Sequence, residues 1–274
     1  MSTHSPLADG VLVINLDKRS DRWQSFITNA ADRLAPLIPI RLSAVKGVSL
    51  EGFGHKPYFH GRKRDRTWAG RAGCALSHRA AIETAARSGW KRVLILEDDI
   101  QFEHDFDALI EPLKQALDTT RWDVCYLGYT DPIGPFRESA QLSGQYRLVQ
   151  IYGCNAAHAY LVNQSAYSFL LSQLPTRQSV WRWLTRNRAI DRWYARTLSR
   201  AMIVLALSTS IINQKDDISD ITGRSYEKQH VTAIPDNARR TLPYSVSKAL
   251  RRTLFWLQGL HDAGRGWIKR KRGF

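Results

Sequence analysis

The chain has 274 residues, 43% of them hydrophobic and 10% aromatic, which is enough to bury one large core. This composition excludes an intrinsically disordered chain. The formal net charge is +15. Residues 239–274 contain ten Lys/Arg and one acid, Asp262, so this tail holds +9 and the remaining 238 residues hold +6. A basic tail implies a polyanionic partner, namely nucleic acid, anionic lipid or a phosphorylated substrate.

The N-terminal segment and the cysteines bear on the cellular compartment. The stretch MSTHSPLADG lacks the basic start and apolar centre of a signal peptide, and the apolar runs are shorter than the roughly 20 residues of a membrane span. We therefore expect a cytoplasmic protein. The three cysteines, Cys74, Cys125 and Cys154, form no CxxC pair, and they predict neither a disulfide framework nor a zinc site.

In chain order, short apolar runs alternate with stretches of helical period. The runs that predict buried strands are residues 11–14, 41–45, 92–96, 122–127 and 202–207. The stretches that predict helices are residues 20–34, 74–88, 106–117, 166–173 and 190–198. This alternation predicts an α/β fold with a mixed, mostly parallel sheet flanked by helices.

Other segments are less regular. Residues 47–70 lack periodicity and predict a long loop, and residues 146–151 and 157–162 are expected to pair with each other as strands. The chain changes character near Pro235. We expect residues 1–235 to form the catalytic domain and residues 236–274 a basic amphipathic tail with two helices, at 245–260 and 265–271.

Three consecutive acids, Glu97, Asp98 and Asp99, follow the apolar run at 92–96. In open α/β sheets, ligands bind at the carboxyl ends of the strands. Because side chains alternate along a strand, Glu97 and Asp99 should point one way and Asp98 the other. Two carboxylates on one side suit a hard divalent cation that also binds a diphosphate. A solvated strand end or a helix cap is the simpler alternative.

Two arginines follow the first predicted strand. Arg19 and Arg22 are three residues apart at the start of a predicted helix, where guanidinium groups and the helix N-terminus both favour phosphate oxygens. A solvated surface pair is the alternative. The acidic motif also follows a strand, and this favours a diphosphate held between the two features.

Several motifs resemble those of glycosyltransferase family 25, the lipooligosaccharide-type glycosyltransferases. These motifs are residues 11–22 (VLVINLDKRSDR), 72–78 (AGCALSH), 94–99 (LILEDD), 158–161 (HAYL) with 166–167 (AY), 190–191 (ID), and Gln214 with 219–221 (SDI). Their order and spacing over residues 10–222 are more specific than any one of them. The tail and, in large part, the loop at 47–70 lie outside the resemblance.

The resemblance implies a GT-A-like fold with a nucleotide-binding half at about residues 10–130 and an acceptor-binding half at about 131–235. It also implies an inverting hexosyltransferase that uses a UDP-sugar donor, often UDP-galactose or UDP-glucose, with Mn²⁺ or Mg²⁺. Glu97 and Asp99 would hold the metal. Asp98, Arg19 and Arg22 would lie at the donor diphosphate, and the backbone of Asn15 and Leu16 would support its base and ribose.

An inverting transfer needs a base for the acceptor hydroxyl, and Asp191 is the candidate, with Asp131 and Asp217 as alternatives. A helix cap is the simpler role for Asp191. The resemblance also assigns donor-site roles to other residues, although a core or capping role is the simpler reading for the histidines. These candidates are Ser77, His78, His158, Gln214, Ser219 and Asp220.

The basic tail mixes apolar and cationic residues in a pattern typical of an interfacial helix on anionic lipid. We expect residues 245–272 to contact the cytoplasmic face of the inner membrane, where a glycolipid acceptor such as a lipopolysaccharide or lipooligosaccharide core would lie. A helix that caps the domain, with a solvated basic end, is the alternative.

Two other functions remain open. A metal-dependent phosphoester hydrolase could use the same acids, but no second His/Asp cluster in the sequence supports it. A basic nucleic-acid-binding protein is less favoured, because the charge is concentrated in the tail and is not interleaved with stacking aromatics.

Overall fold

The computed structural model describes residues 6–30, 32–215, 232–235 and 243–274. The strands within these residues are β1 (Gly10–Asn15), β2 (Ile40–Ser43), β3 (Arg92–Glu97), β4 (Ile100–Phe102), β5 (Val124–Ile133), β6 (Arg137–Gln141), β7 (Arg147–Gln150), β8 (Gly153–Asn163), β9 (Val204–Leu207) and β10 (Ile212–Gln214). The helices are α1 (Ser20–Ala30), α2 (Asp65–Arg87), α3 (Phe106–Thr119), α4 (Gln164–Gln173), α5 (Val180–Asn187), α6 (Ile190–Ala201) and α7 (Tyr244–Arg272), with short 3₁₀ turns at Asp32–Leu34 and Gly47–Ser49.

Eight strands form one sheet in the order β2-β1-β3-β8-β5-β9-β7-β6, and β4 and β10 form a separate antiparallel pair. β1 is parallel to β2 and β3, and β5 is parallel to β9, whereas β8 and β7 run antiparallel to both of their neighbours. The predicted fold class, a mixed and mostly parallel α/β sheet flanked by helices, is therefore confirmed.

Alternating residues of the central strands supply two hydrophobic cores, one on each face of the sheet. Leu12 and Ile95 face the core that α2, α4 and α6 cover. Val13 and Leu96 face the core that α1 and α3 cover. A third, smaller cluster joins the N-terminal part of α2 to α5 and Phe274. The chain end is thereby fixed to the body.

The predicted pairing of residues 146–151 with 157–162 is wrong. β7 pairs with β6 and β9, whereas β8 lies between β3 and β5. The central part of β8 is buried, and a position between two long strands covers its apolar residues on both faces and satisfies its hydrogen bonds on both edges. A hairpin with β7 would leave one edge of β8 unpaired.

The helix predicted from Cys74 begins earlier, at Asp65, so the predicted loop at 47–70 is shorter than expected. The Asp65 carboxylate accepts hydrogen bonds from the backbone N–H groups of His60 and Arg62, at 3.2 and 2.9 Å. The added turns bury Trp68 and Ala69 in the third cluster. Tertiary packing therefore extends a helix whose start has no apolar periodicity in the sequence.

The tail is one helix, α7, and not two. Asp262 forms an ion pair with Arg196, and a side chain at Gly266 would press on Thr185. These contacts hold the segment at which the sequence predicts a break. None of the described helices combines the length and apolarity needed to cross a bilayer.

The close approach of α2 to the segment after β2 gives a test of this packing. A Cβ at Gly73 would lie inside the van der Waals contact distance of the Val45 carbonyl oxygen, so we expect Gly73→Ala to lower the free energy of unfolding by about 1–3 kcal/mol. The matched control is Gly264→Ala in α7, where a Cβ would meet no atom within 4 Å and the higher helix propensity of alanine should leave stability unchanged or raised. Urea denaturation measures both, and equal effects would contradict this packing.

Candidate active site

The three acids lie at the carboxyl end of β3, beside the end of β1. Glu97 is the last residue of β3 and pairs in register with Ile14, and Asp98 and Asp99 form the turn into β4. The side chains of Asp98 and Asp99 are only 9% and 10% exposed. Burying two carboxylates in a turn is costly unless other groups compensate their charge.

Asn15 and Arg22 compensate Asp98. The Asn15 amide donates to Asp98 Oδ2 at 2.6 Å, and Arg22 Nη1 donates to Oδ1 at 3.1 Å. Arg22 also lies 3.7 Å from Asp99 Oδ2. Burial raises the pKa of Asp98 to about 6, although the hydrogen bond from Asn15 and the charge of Arg22 act in the opposite direction. The first helical turn of α1 thus places a cation directly against the acids, whereas the sequence predicts Arg22 at the donor diphosphate, a role that stays a prediction.

Gln214 bridges the other two acids. β10 pairs antiparallel with β4, opposite Ile100, and this brings Gln214 to the turn. Its Nε2 donates to Glu97 Oε2 and to Asp99 Oδ1, both at 3.2 Å. The carboxylates of Glu97 and Asp99 therefore face one common point, while Asp98 faces Asn15. The sequence predicts that Glu97 and Asp99 share a side, but the turn at Asp98 and Asp99, and not strand alternation, sets these directions.

His78 approaches Glu97 from the side of α2. Its Nε2 lies 3.4 Å from Glu97 Oε1, and its Nδ1 lies 2.8 Å from the hydroxyl of Tyr160. That hydroxyl is 3.3 Å from the hydroxyl of Tyr194. Burial raises the pKa of both tyrosines, so they stay protonated and act as hydrogen-bonding groups that fix the imidazole.

Asp191 lies at the start of α6 on the same side of the sheet. Burial raises the pKa of the Cys74 thiol well above its ordinary value, and the negative charges of Glu97 and Asp191 raise it further. Asp191 and Glu97 are thus both close enough to Cys74 to act on it electrostatically. The Asp191 carboxylate is partly exposed and accepts from the backbone N–H of Arg192 at 2.8 Å. Asp191 thus lies on the face of the sheet that α2 and α6 cover, and its role as a base stays a prediction.

Other predicted site residues make structural contacts. Ser77 is 1% exposed, and its hydroxyl donates to the Gly73 carbonyl at 2.7 Å and accepts from the Val45 N–H at 2.8 Å. His158 is 2% exposed, and its Nε2 lies 3.0 Å from the Ile212 carbonyl oxygen, where it helps to hold β10 against the sheet. These contacts do not test a donor-binding role.

The remaining predicted site residues make contacts of other kinds or lie outside the described part of the chain. Arg19 forms an ion pair with Asp21 at 2.9 Å, and its backbone N–H donates to the Leu16 carbonyl at 2.8 Å. Asp131 accepts a hydrogen bond from Asn155 at 3.0 Å. Ser219, Asp220 and Asp217 lie outside the described residues.

Sequence reasoning missed some residues of this region. Tyr160 and Tyr194 are separated in sequence by more than 30 residues, and only the fold brings their hydroxyls together. Cys74 precedes His78 by four residues. This spacing places both side chains on one face of a helix, and it could have indicated from the sequence that they share a site. Within the described part of the chain, Cys74, His78 and Glu97 are the group of three that could hold a metal, with ligand atoms within 4.8 Å of one another.

Comparison with known proteins shows what this chain is similar to. Residues 8–127 match the model of glycosyltransferase family 25 (LPS biosynthesis protein). The chain is 28% identical over 181 residues to the inactive glycosyltransferase 25 family member 3 of Homo sapiens, covering 62% of the chain and 30% of that protein. It is 27% identical over 135 residues to procollagen galactosyltransferase 2 of Homo sapiens, covering 44% of the chain and 20% of that protein.

The resemblance to glycosyltransferase family 25 is confirmed by this match to the family model, which covers residues 8–127. The chain spans at most 30% of the length of the two human relatives. Among solved structures, a glycosyltransferase involved in the glycosylation of the major capsid of PBCV-1 aligns with a TM-score of 0.40 at 8% identity, covering 90% of this chain and 98% of that one. This TM-score does not establish a shared fold.

The buried charge of Asp98 gives a test of the site's electrostatics. The pKa of Asp98 in the folded protein, about 6, exceeds the ordinary value of 3.8, so the folded state binds this proton more tightly than the unfolded state. The contribution of Asp98 to stability should therefore be fully present below about pH 4 and be lost as the pH rises through about 6. Asp98→Asn cannot ionise and should lack this loss. Relative to wild type it should gain roughly 2–3 kcal/mol between pH 4 and pH 7.

Urea denaturation of both proteins in EDTA, in half-unit pH steps, measures this difference. Parallel stability profiles for wild type and Asp98→Asn would contradict the account of Asp98 as a buried acid with a raised pKa.

Proposed function

We propose that this chain is an inverting glycosyltransferase that moves a hexose, galactose or glucose, from a UDP-sugar to a glycan or glycolipid acceptor such as a lipopolysaccharide or lipooligosaccharide core. The observation that carries the proposal is the acidic turn, where Glu97 and Asp99 face one point beside Arg22. Galactose is the favoured sugar, since several of the relatives are named procollagen galactosyltransferases.

The residues of the acidic turn fit a hard divalent cation. Glu97 and Asp99 direct carboxylate oxygens at the point where the Gln214 amide donates, and oxygen ligands are those that Mn²⁺ and Mg²⁺ prefer. A cation held there would neutralise the charge of the leaving diphosphate. The Gln214 amide helps to hold both carboxylates in place, and after rotation of its side chain the carbonyl oxygen, and not the NH2 group, would face a bound cation.

The groups around the turn suit a nucleotide diphosphate. Arg22 is 12% exposed, and its guanidinium lies 3.1 Å from Asp98 and 3.7 Å from Asp99. The backbone of Asn15 and Leu16 follows the same strand and would support the base and ribose, while Arg19 would add positive charge near the phosphates. Ser219 and Asp220, which follow the last strand, would close over the donor.

Asp191 is the proposed base. Its partly exposed carboxylate lies at the start of α6, close enough to act on Cys74 together with Glu97. There it would accept the proton of the acceptor hydroxyl as that oxygen attacks the anomeric carbon. In this proposal, residues at about 10–130 bind the donor, and residues at about 131–235 supply the base and bind the acceptor.

Turnover of UDP-sugars by three variants tests the proposal. We expect Asp99→Asn to reduce Mn²⁺-dependent UDP release in the presence of acceptor by at least about 100-fold, since it weakens charge neutralisation at the leaving group. Asp191→Asn should reduce kcat by about 10²–10⁴-fold and leave UDP binding unchanged. Asp107→Asn, on an exposed side chain of α3 paired with Arg33, is the matched control and should retain activity.

Two outcomes would contradict the proposal. One is UDP release by Asp99→Asn at the wild-type rate. The other is release of phosphate from simple phosphoesters without UDP-sugar turnover, which would favour the hydrolase. Retention of configuration in the product would overturn the inverting mechanism.

We further propose that α7 is the surface that meets an anionic membrane. One face of this helix docks on the body: the Phe255 ring lies 5.2 Å from that of Tyr152, Asp262 pairs with Arg196, and Lys269 lies over Trp68. The docked positions recur at helical spacing, so the opposite face is turned outward.

That outward face of α7 is apolar. Eight large hydrophobic side chains on it are 44–58% exposed, against three elsewhere in the described residues. They are Val246, Leu250, Leu254, Trp256, Leu257, Leu260, Trp267 and Ile268. Eight Lys/Arg and one acid accompany them in the helix. An exposed apolar stripe with a basic border fits the interface of an anionic bilayer, where each cation contributes about 1 kcal/mol. The protein would thus lie at the cytoplasmic face of the inner membrane, beside a glycolipid acceptor.

Vesicle co-sedimentation tests this surface. Wild type should bind vesicles that contain phosphatidylglycerol more tightly than neutral phosphatidylcholine vesicles. Leu254→Ser with Leu257→Ser should weaken binding by about tenfold or more, because two apolar anchors are lost. Ile38→Ser, at an 83% exposed position outside α7, is the control and should bind as wild type. Equal binding by the double variant, or self-association through α7 without lipid binding, would contradict the proposal.

A further inference from the structure

A second, chemically different set of metal ligands lies next to the acidic turn. Cys74 and His78 are four residues apart on α2, and both face Glu97 at the end of β3. The sulfur of Cys74, a ring nitrogen of His78 and a carboxylate oxygen of Glu97 all lie within 4.8 Å of one another. Three side chains from two rigid elements therefore converge on one point.

The chemistry of these ligands selects a borderline-soft ion. Thiolate and imidazole groups favour Zn²⁺, whereas carboxylates alone suit Mg²⁺ and Mn²⁺. Zinc sites with three protein ligands leave a fourth position for water or substrate. Ligand atoms around tetrahedral zinc lie about 3.5 Å apart, given bond lengths near 2.0–2.3 Å. Side-chain shifts of about 1 Å would bring the present atoms to that spacing.

The surroundings of His78 resemble those of a metal-bound histidine. Nδ1 lies 2.8 Å from the hydroxyl of Tyr160, which is in turn 3.3 Å from that of Tyr194. These hydrogen bonds hold Nδ1 of His78 and leave its Nε2 directed at Glu97. An outer hydrogen bond that fixes the ring and its tautomer is typical of histidine ligands. The contact from Nε2 to Glu97 Oε1 is 3.4 Å, longer than a strong hydrogen bond, so a closer ligand to Nε2 would replace only a weak contact.

Access to the site differs among its members. Cys74 and Glu97 are partly exposed, and His78 is buried, so an ion from solvent would meet the thiol and the carboxylate before the imidazole. Cys125 and Cys154 are fully buried in the two cores, and neither belongs to this group.

We infer that Cys74, His78 and Glu97 form a zinc-binding site that shares Glu97 with the donor-metal site. This inference departs from the expectation that the cysteines provide no zinc site, which considered only CxxC spacing. Since one carboxylate serves both sites, zinc should compete with the donor metal. This consequence rests on the proposed function, but the zinc site itself does not.

Cobalt serves as a spectroscopic probe for zinc. Full-length wild-type protein, reduced and free of metal, should bind one equivalent of Co²⁺ with a thiolate-to-cobalt charge-transfer band, and Zn²⁺ should remove this band. Cys74→Ser should lose the band and weaken Co²⁺ binding at least tenfold. Cys125→Ala, the matched cysteine control, should retain the band. Asp99→Asn should also retain it, although it loses the proposed donor metal.

Alkylation of the wild-type protein gives a second measurement that needs no variant. Zn²⁺ should protect Cys74 from iodoacetamide, as measured by mass spectrometry of the Cys74 peptide, whereas Mg²⁺ should not. The inference is overturned if wild type shows no charge-transfer band, if Cys74→Ser retains it, or if Zn²⁺ leaves the alkylation of Cys74 unchanged. None of these outcomes depends on transferase activity.

Discussion

The burial of negative charge at the end of β3 is the constraint on which the rest of the site depends. Asp98 and Asp99 are about nine-tenths buried, and ionised carboxylates in such positions are unfavourable without partners. Each partner comes from a different part of the chain: Asn15 from β1, Arg22 from α1 and Gln214 from β10. The turn therefore joins elements that are distant in sequence, and loss of one partner should affect all of them.

This dependence explains two features of the fold that otherwise seem unrelated. The small pair formed by β4 and β10 buries Ile100, Phe102 and Ile212 in one core, and it also places Gln214 against Glu97 and Asp99. The close packing of α2 against the segment after β2, where Gly73 and Ser77 meet Val45, places His78 beside Glu97. Charge and packing thus support the same arrangement. The compensation of Asp98 is incomplete, since its pKa stays raised to about 6, and incomplete compensation of this kind is common at functional sites.

Much of this arrangement follows from local sequence, and some of it does not. The sequence placed the three acids at the end of a buried strand, because the apolar run before them is local, but only Glu97 belongs to β3, and Asp98 and Asp99 form the turn. The direct contact of Arg22 with Asp98 was not predicted, because it depends on how α1 packs beside the end of β3. The partners of β8 were predicted wrongly, since strand pairing depends on which distant edges are available. The contact between Tyr160 and Tyr194 could not be predicted, because it exists only after α6 packs on β8. The single helix α7 depends on tertiary contacts at Asp262 and Gly266 that local propensity does not contain.

The most direct test of the donor site is thermal unfolding in the presence of UDP-sugars, with and without Mn²⁺, for wild type and Asp99→Asn. A ligand that binds only the folded state at about 100 times its Kd stabilises by about 2.7 kcal/mol. We expect at least one UDP-hexose to raise the Tm of wild type in a Mn²⁺-dependent manner, and Asp99→Asn to show little or no increase. If no UDP-sugar stabilises the wild type, or if Asp99→Asn responds as wild type does, the acidic turn is not the donor site.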